Sequence, residues 1–341
     1  MSIHSVARRV EARWTAVRFL ASLLRAYRDE PGLRHRLLTA LFEKLVAEME
    51  CADSALLQEV QLLKLRKLLR CAMRVPWWRE RLVGAGLAGP LARLEQIAAL
   101  PVVTKSSFAG IPRRNLLSSR IPDRRLIFRR TSGTTGAPFE WGHDRNTFYV
   151  EINAHFLRFA RWHVPAIKRR GRRALFATFF LSSYGVPRVL VPWEPAARDT
   201  YEQCLRAAAL LRQEGPPVFY ASPGMLLLFA SRLRELRQEI PIRLAVCAGE
   251  RVQDAVRDSI AQALNCPVVA QYGSVEAGLL AVECPMIRAP LYHINASRVY
   301  IELTDKEGRV VPEGGSGFVT VTSLDNRAMP LIRYQLGDIA R

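Results

Sequence analysis

The chain has 341 residues, 49% of them hydrophobic, enough for a core of two or three layers, and no run of about 18 apolar residues reads as a membrane span. Its 50 basic residues against 31 acidic ones give a formal net charge of +19, but the arginine clusters (Arg113-Arg114, Arg124-Arg125, Arg172-Arg173) lack a nucleic-acid-binding motif or interleaved aromatics. Specific nucleic-acid binding is therefore not expected, whereas attraction of small anions is, and six scattered cysteines without a C-x-x-C pair exclude a disulfide framework and a four-cysteine zinc site.

The first thirty residues are broken by Arg8, Arg9, Glu11, Arg13, Arg18, Arg25 and Arg28, so no signal-peptide core is present and a cytoplasmic protein is expected. Residues 1–75 read as a helical extension ahead of a large domain spanning 76–341. Leu37, Leu38, Leu41, Phe42, Leu45, Val46 and Met49 recur at three- and four-residue steps and form an apolar stripe docked on the rest of the chain. A second helix begins near Asp53, with Leu56, Leu57, Val60, Leu63, Leu68 and Leu69 inward, Lys64, Arg66, Lys67 and Arg70 in water, and Pro76 marking its end.

From Leu126 short apolar runs alternate with amphipathic stretches, the pattern of βα units. Strands are predicted at 126–128, 174–180, 218–221, 244–248 and 268–271, and helices near 144–163, 200–213, 223–238 and 251–264. Beyond Leu279 the text turns β-rich, with strands at 299–304 and 317–322 around a turn at 305–308. The fold class is α/β: largely parallel sheets flanked by helices, a β-rich, barrel-like subdomain over about 279–341, and the helical N-terminal extension.

Three segments carry chemistry. Thr131-Ser132-Gly133-Thr134-Thr135-Gly136-Ala137-Pro138 follows a strand; its glycines let the backbone approach an anion, and its hydroxyls and N–H groups can donate to phosphate oxygens. It is not a Walker A loop, because no G-x-x-x-x-G-K-[ST] occurs. Gln271-Tyr272-Gly273-Ser274-Val275-Glu276-Ala277-Gly278 follows another strand, at the edge where open α/β sheets bind ligands. Its tyrosine can stack on a base, its serine can meet a phosphate and its glutamate can hold Mg²⁺ among phosphate oxygens. Met329-Pro330-Leu331-Ile332-Arg333-Tyr334-Gln335-Leu336-Gly337-Asp338 ends in a carboxylate suited to paired ribose hydroxyls. Ala248-Gly249-Glu250 could line the same pocket. Cys284 and His293 are too few for a zinc site, and His143, His155 and His163 read as core or surface residues.

In this order and spacing the segments resemble the adenylate-forming superfamily of acyl-CoA synthetases, peptide-synthetase adenylation domains and luciferases. The segment 131–138 is similar to its phosphate loop, 272–276 to its Y-G-x-[ST]-E motif and 334–338 to its Y-x-x-G-D motif. Leu100-Pro101-Val102-Val103-Thr104-Lys105, Glu283-Cys284 with His293, Val311-Pro312-Glu313-Gly314-Gly315-Ser316-Gly317 and the run from Met329 to Tyr334 point to the phenylacetate-CoA ligase-like branch. The resemblance implies ATP-dependent activation of a small carboxylic acid, with an aromatic one favoured, followed by transfer to CoA or a carrier-protein thiol. It also implies roles. Thr131, Ser132, Gly133, Thr134, Thr135 and Gly136 would hold the β- and γ-phosphates, Tyr272 and Gly249 the adenine, Ser274 the α-phosphate, Asp338 the ribose and Glu276 the Mg²⁺, with Gly273 and Glu250 also binding the nucleotide. Glu276, Ser274 and Thr134 would act on the reacting phosphate, and the acyl group would lie among 141–163, 220–223 and 273–278. The alternative is a non-catalytic binding or scaffolding module.

Two departures shape the expectation. Ala137 stands where many members carry lysine. The resemblance also implies a C-terminal domain, bringing a catalytic lysine, beyond the point where this chain ends at Arg341. The chain as written is expected to bind ATP and acid but to form a CoA thioester poorly unless a separate C-terminal part assists it.

Overall fold

The computed structural model describes residues 2–23, 33–130, 139–165, 176–179, 188–285 and 291–341. Three helices open the chain, α1 (Ile3–Leu23), α2 (Leu33–Glu50) and α3 (Ser54–Ala72). Asp53 caps α3 by accepting the Leu56 N–H at 2.7 Å, which satisfies one of the orphan donors of a first turn. Pro76 does more than close α3: it sits in the first turn of α4 (Pro76–Gly84), where a missing N–H costs nothing.

Four short 3₁₀ turns lead to a hairpin of β1 (Leu126–Arg130) and β2 (Glu140–Asp144). The strand predicted at 126–128 is therefore not part of the parallel sheet; it pairs antiparallel with β2 in a separate two-stranded sheet. After α5 (Arg145–His163) come β3 (Phe176–Thr178), β4 (Arg188–Leu190), α6 (Thr200–Glu214), β5 (Val218–Ala221), α7 (Pro223–Glu235), β6 (Leu244–Ala248), α8 (Asp254–Leu264) and β7 (Val268–Ser274). These strands, with β8 (Gly278–Glu283) and β9 (Tyr292–Ile294), form a seven-stranded sheet in the order β4-β3-β5-β6-β7-β8-β9. It is parallel from β4 to β7 and antiparallel at β8 and β9. The last strands, β10 (Val299–Thr304), β11 (Gly317–Ser323) and β12 (Tyr334–Ala340), make a separate antiparallel sheet.

Period-two alternation sorts the large sheet's side chains. Val218 packs with Phe156, Phe159 and Val246 toward α5, while Phe219 and Ala221 pack with Leu211, Phe229 and Leu233 toward α6 and α7. Both faces are covered, which is why its central strands read as unbroken apolar runs. A third core joins α3 (Leu62, Leu65, Leu68, Leu69) to Trp77, Trp78, Phe108, Trp141 and the β10–β12 sheet.

Two readings of the N-terminal helices need correcting. Leu37 and Leu41 are exposed, at 57% and 45%, whereas Leu38, Phe42, Leu45, Val46 and Met49 are buried; the inward stripe is narrower because the first two lie on its flank. Lys64, expected in water, is fully buried. Its Nζ donates to the Ser297 carbonyl, lies 3.4 Å from Asp325 and sits 3.9 Å from the Trp14 ring centroid. Burial alone would raise the Asp325 carboxyl, but Arg18, Lys64 and Arg298 around it hold it well below the usual range. A lysine inside is tolerable only with such a partner. Among the described residues no helix is long and apolar enough to cross a membrane.

Candidate functional site

The described candidate residues converge at the C-terminal edge of the parallel strands, the place where such sheets bind ligands. The strands β6 and β7 pair up to Ala248 and Gln271, so the segments 248–250 and 271–274 emerge side by side. Gly249 has φ +88 and lets the chain turn out of β6. At Gly273 a Cβ would fall 2.5 Å from the Gly278 carbonyl oxygen; glycine is required there because β8 doubles back onto β7, Ser274 facing Gly278. The Ser274 Oγ accepts the Ala277 N–H at 3.0 Å, which fixes the hydroxyl at the mouth of this turn. Glu250 and Gly249 are exposed beside it.

Glu276 sits in the same turn but is only 8% exposed, and Tyr334 donates its hydroxyl to Glu276 Oε1 at 3.1 Å. Tyr272 likewise donates to Asp338 Oδ2 at 2.8 Å. Burial, reinforced by the adjoining carboxylate, raises both phenols above the ordinary tyrosine range, so both remain donors. Two tyrosine–carboxylate pairs thus tie the β7–β8 turn to β12, across 58 and 66 residues of sequence.

The last segment is anchored from behind. Val103 N–H donates to the Arg333 carbonyl at 2.9 Å and Gln335 N–H to the Val103 carbonyl at 2.8 Å, so the 100–105 segment runs parallel to it. Arg333, 1% exposed, is ion-paired with Glu302 at 3.1 Å and donates to the carbonyls of Ala98 and Gly308 at 2.9 Å each and to that of Leu100. These contacts aim Tyr334 at Glu276. Gly337, at φ +94, then turns the strand so that Asp338 is exposed.

The phosphate-loop residues Thr131, Ser132, Gly133, Thr134, Thr135, Gly136, Ala137 and Pro138 lie outside the described residues; both flanks are described, because they are the β1–β2 hairpin. Trp141 lies 6.3 Å from Tyr334 and Phe139 lies 5.8 Å from Trp141, centroid to centroid, so the hairpin stem packs against the residue that holds Glu276. Asn326 donates to the Gly142 carbonyl at 3.0 Å and accepts the Ala328 N–H at 3.1 Å, while His143 Nε2 is 3.4 Å from the Val275 carbonyl. Of the residues that position the site, Arg333 lies inside the 329–338 segment and His143 reads as a core or surface histidine, whereas Asn326 carries no distinguishing signal; the partners of all three are remote in sequence.

Burial lowers His143 to about 3 and His155 well below the ordinary imidazole range. The unfolded chain takes up a proton at each below about pH 6.5, whereas folded His143 accepts one only near pH 3, so stability is present above 6.5 and is lost as pH falls. Between pH 7 and 5 His143 should cost about 2 kcal/mol, with His155 adding in the same direction. Urea denaturation at both pH values checks this. The slope should flatten in a His143→Gln variant, and equal slopes would show that the ring is protonated at the same pH folded and unfolded.

No protein-family model matches the chain. It is 28% identical over 315 residues to a phenylacetate-coenzyme A ligase of Pseudomonas putida, covering 87% of this chain and 69% of that protein. A second phenylacetate-coenzyme A ligase, from Thermus thermophilus, is 25% identical over 304 residues, covering 86% and 67%. An open-conformation crystal structure of 2-hydroxyisobutyryl-CoA ligase, in complex with 2-HIB-AMP and CoA, superposes with a TM-score of 0.69 at 21% identity, over 86% of this chain and 71% of that one. The chain thus shares the fold of that CoA ligase and is similar in sequence to the two phenylacetate-coenzyme A ligases, which supports the resemblance to the adenylate-forming superfamily. The same relatives support the likeness to the phenylacetate-CoA ligase-like branch.

Proposed function

We propose that this chain activates a carboxylic acid with ATP and passes the acyl group to coenzyme A. A carboxylate oxygen attacks the α-phosphorus, forming the acyl-adenylate as pyrophosphate leaves with the electron pair of the broken P–O bond. The thiolate sulfur of CoA then attacks the acyl carbon and AMP departs. The observation that carries the reading is the convergence of Tyr272, Asp338, Tyr334 and Glu276 at the strand ends beside the phosphate-loop stem.

The chain's own groups divide the work. Tyr272 offers a ring face to adenine, and Gly249, lacking a side chain, leaves the base room. The Asp338 carboxylate accepts ribose hydroxyls, on its second oxygen or in exchange for its bond from Tyr272. Ser274, oriented by the Ala277 N–H, donates to the α-phosphate. The hydroxyls and N–H groups of Thr131, Ser132, Thr134 and Thr135 spread the charge of the outer phosphates, the kind of stabilisation phosphoryl chemistry needs most. Glu276 fits Mg²⁺: it is a hard oxygen donor held by Tyr334, and the ion commonly takes one or two carboxylates with substrate phosphates and water completing its shell. When bound, the ion would supply positive charge to neutralise the phosphate oxygens. A compact, aromatic acid is the favoured substrate, seated among residues 141–163, 220–223 and 273–278.

Isothermal titration with Mg-ATP tests the reading. Wild type should bind saturably, and Asp338→Ala should weaken binding by about 1.5–3 kcal/mol, the cost of a lost charge-assisted hydrogen bond. Absence of saturable binding at millimolar nucleotide rejects the proposal.

A further inference from the structure

The stem of the 131–138 connection carries charges that the mechanism above leaves unused. Arg130 ends β1 directly opposite Glu140, which opens β2. Arg113, from the turn at Arg113–Asn115, is ion-paired with that same Glu140, and its guanidinium carbon lies 4.2 Å from the Phe128 ring centroid. Arg113, Arg130, Glu140, Phe139 and Met329 line a cavity of about 340 Å³, within the range of roughly 300–1,000 Å³ typical of ligand clefts. Two guanidiniums against one carboxylate leave it net positive, and the Arg113 side chain is 55% exposed, open to a ligand. The cavity is joined to the centre of the site by one run of aromatic contacts, from Phe139 through Trp141 to Tyr334, whose hydroxyl meets Glu276. Within the loop itself Ala137 offers no cation.

We propose that Arg130 and Arg113 hold the β- and γ-phosphates of bound ATP, and the pyrophosphate that leaves, as positioning residues outside the loop. The assignment rests on the nucleotide reading given above. A guanidinium presents a flat fork of N–H donors that matches two phosphate oxygens at once. Glu140 keeps Arg113 in place at the stem, and the polyanionic tail, with more charge than one carboxylate, draws the arginine over. Arg130 needs no such exchange, because it already leads into the loop.

The test is calorimetry of Mg-ATP, AMP and Mg-pyrophosphate with wild type, Arg130→Ala, Arg113→Ala and a control, Arg206→Ala, which removes an exposed α6 arginine paired with Glu202. Each stem variant should bind ATP and pyrophosphate roughly tenfold more weakly and bind AMP as wild type does, which also shows that it is folded; the control should match wild type throughout. Unchanged ATP affinity, an equal loss for AMP, or the same loss in the control overturns the stem-pair assignment and leaves the nucleotide reading standing. Wild type that binds neither ATP nor AMP overturns both.

Discussion

Arg333→Ala should destabilise the protein by about 3–5 kcal/mol, the usual cost of stranding one partner of a buried ion pair. Arg333 and Glu302 are both nearly inaccessible, and the guanidinium also satisfies the carbonyls of Ala98, Leu100 and Gly308. Burial already raises the Glu302 carboxyl, with Arg333 pulling it down. Without the arginine it rises further, so the folded variant holds a proton that the unfolded chain releases above about pH 4.3. The variant's stability therefore falls with increasing pH, and its deficit should be larger at pH 8 than at pH 5. Urea denaturation of both proteins at the two pH values gives the answer. Arg333→Leu combined with Glu302→Leu should recover part of the loss, though not the part due to the three stranded carbonyls. A deficit under about 1 kcal/mol at pH 8 would mean that Arg333 is not the anchor of the Tyr334 segment.

Glu276→Gln should lower acid-dependent pyrophosphate release by about 10²- to 10³-fold, the range seen when one preorganised electrostatic contact to the reacting group is removed. Stability should hardly change. Glu276 is buried, yet the amide oxygen of glutamine can still accept the Tyr334 hydroxyl at the same place. What glutamine cannot supply is the negative charge that a phosphate-bound Mg²⁺ needs. Raising Mg²⁺ should not restore the rate. A variant with the wild-type rate and an intact melting curve would remove Glu276 from the reaction.

The parts of this protein that sequence determines are those set by neighbours along the chain. Strands at Val218–Ala221, Leu244–Ala248 and Val268–Ser274 are visible as short apolar runs because both faces of that sheet are covered by helices. The segments around Tyr272, Glu276 and Asp338 stand out because glycine next to hydroxyl, carboxylate and aromatic residues at strand ends is a local signature. Tertiary structure decides whatever depends on two remote segments meeting. Lys64 lies at a position whose local pattern reads as solvated, and its burial is made tolerable by remote partners, among them Asp325, Ser297 and Trp14. The strand at Leu126–Arg130 is locally indistinguishable from the parallel strands; only its antiparallel pairing with Glu140–Asp144 sets it apart from them. The Tyr272–Asp338 and Tyr334–Glu276 bonds join segments that periodicity cannot relate, since hydrophobic pattern specifies which face of an element is buried but not which distant polar group waits there.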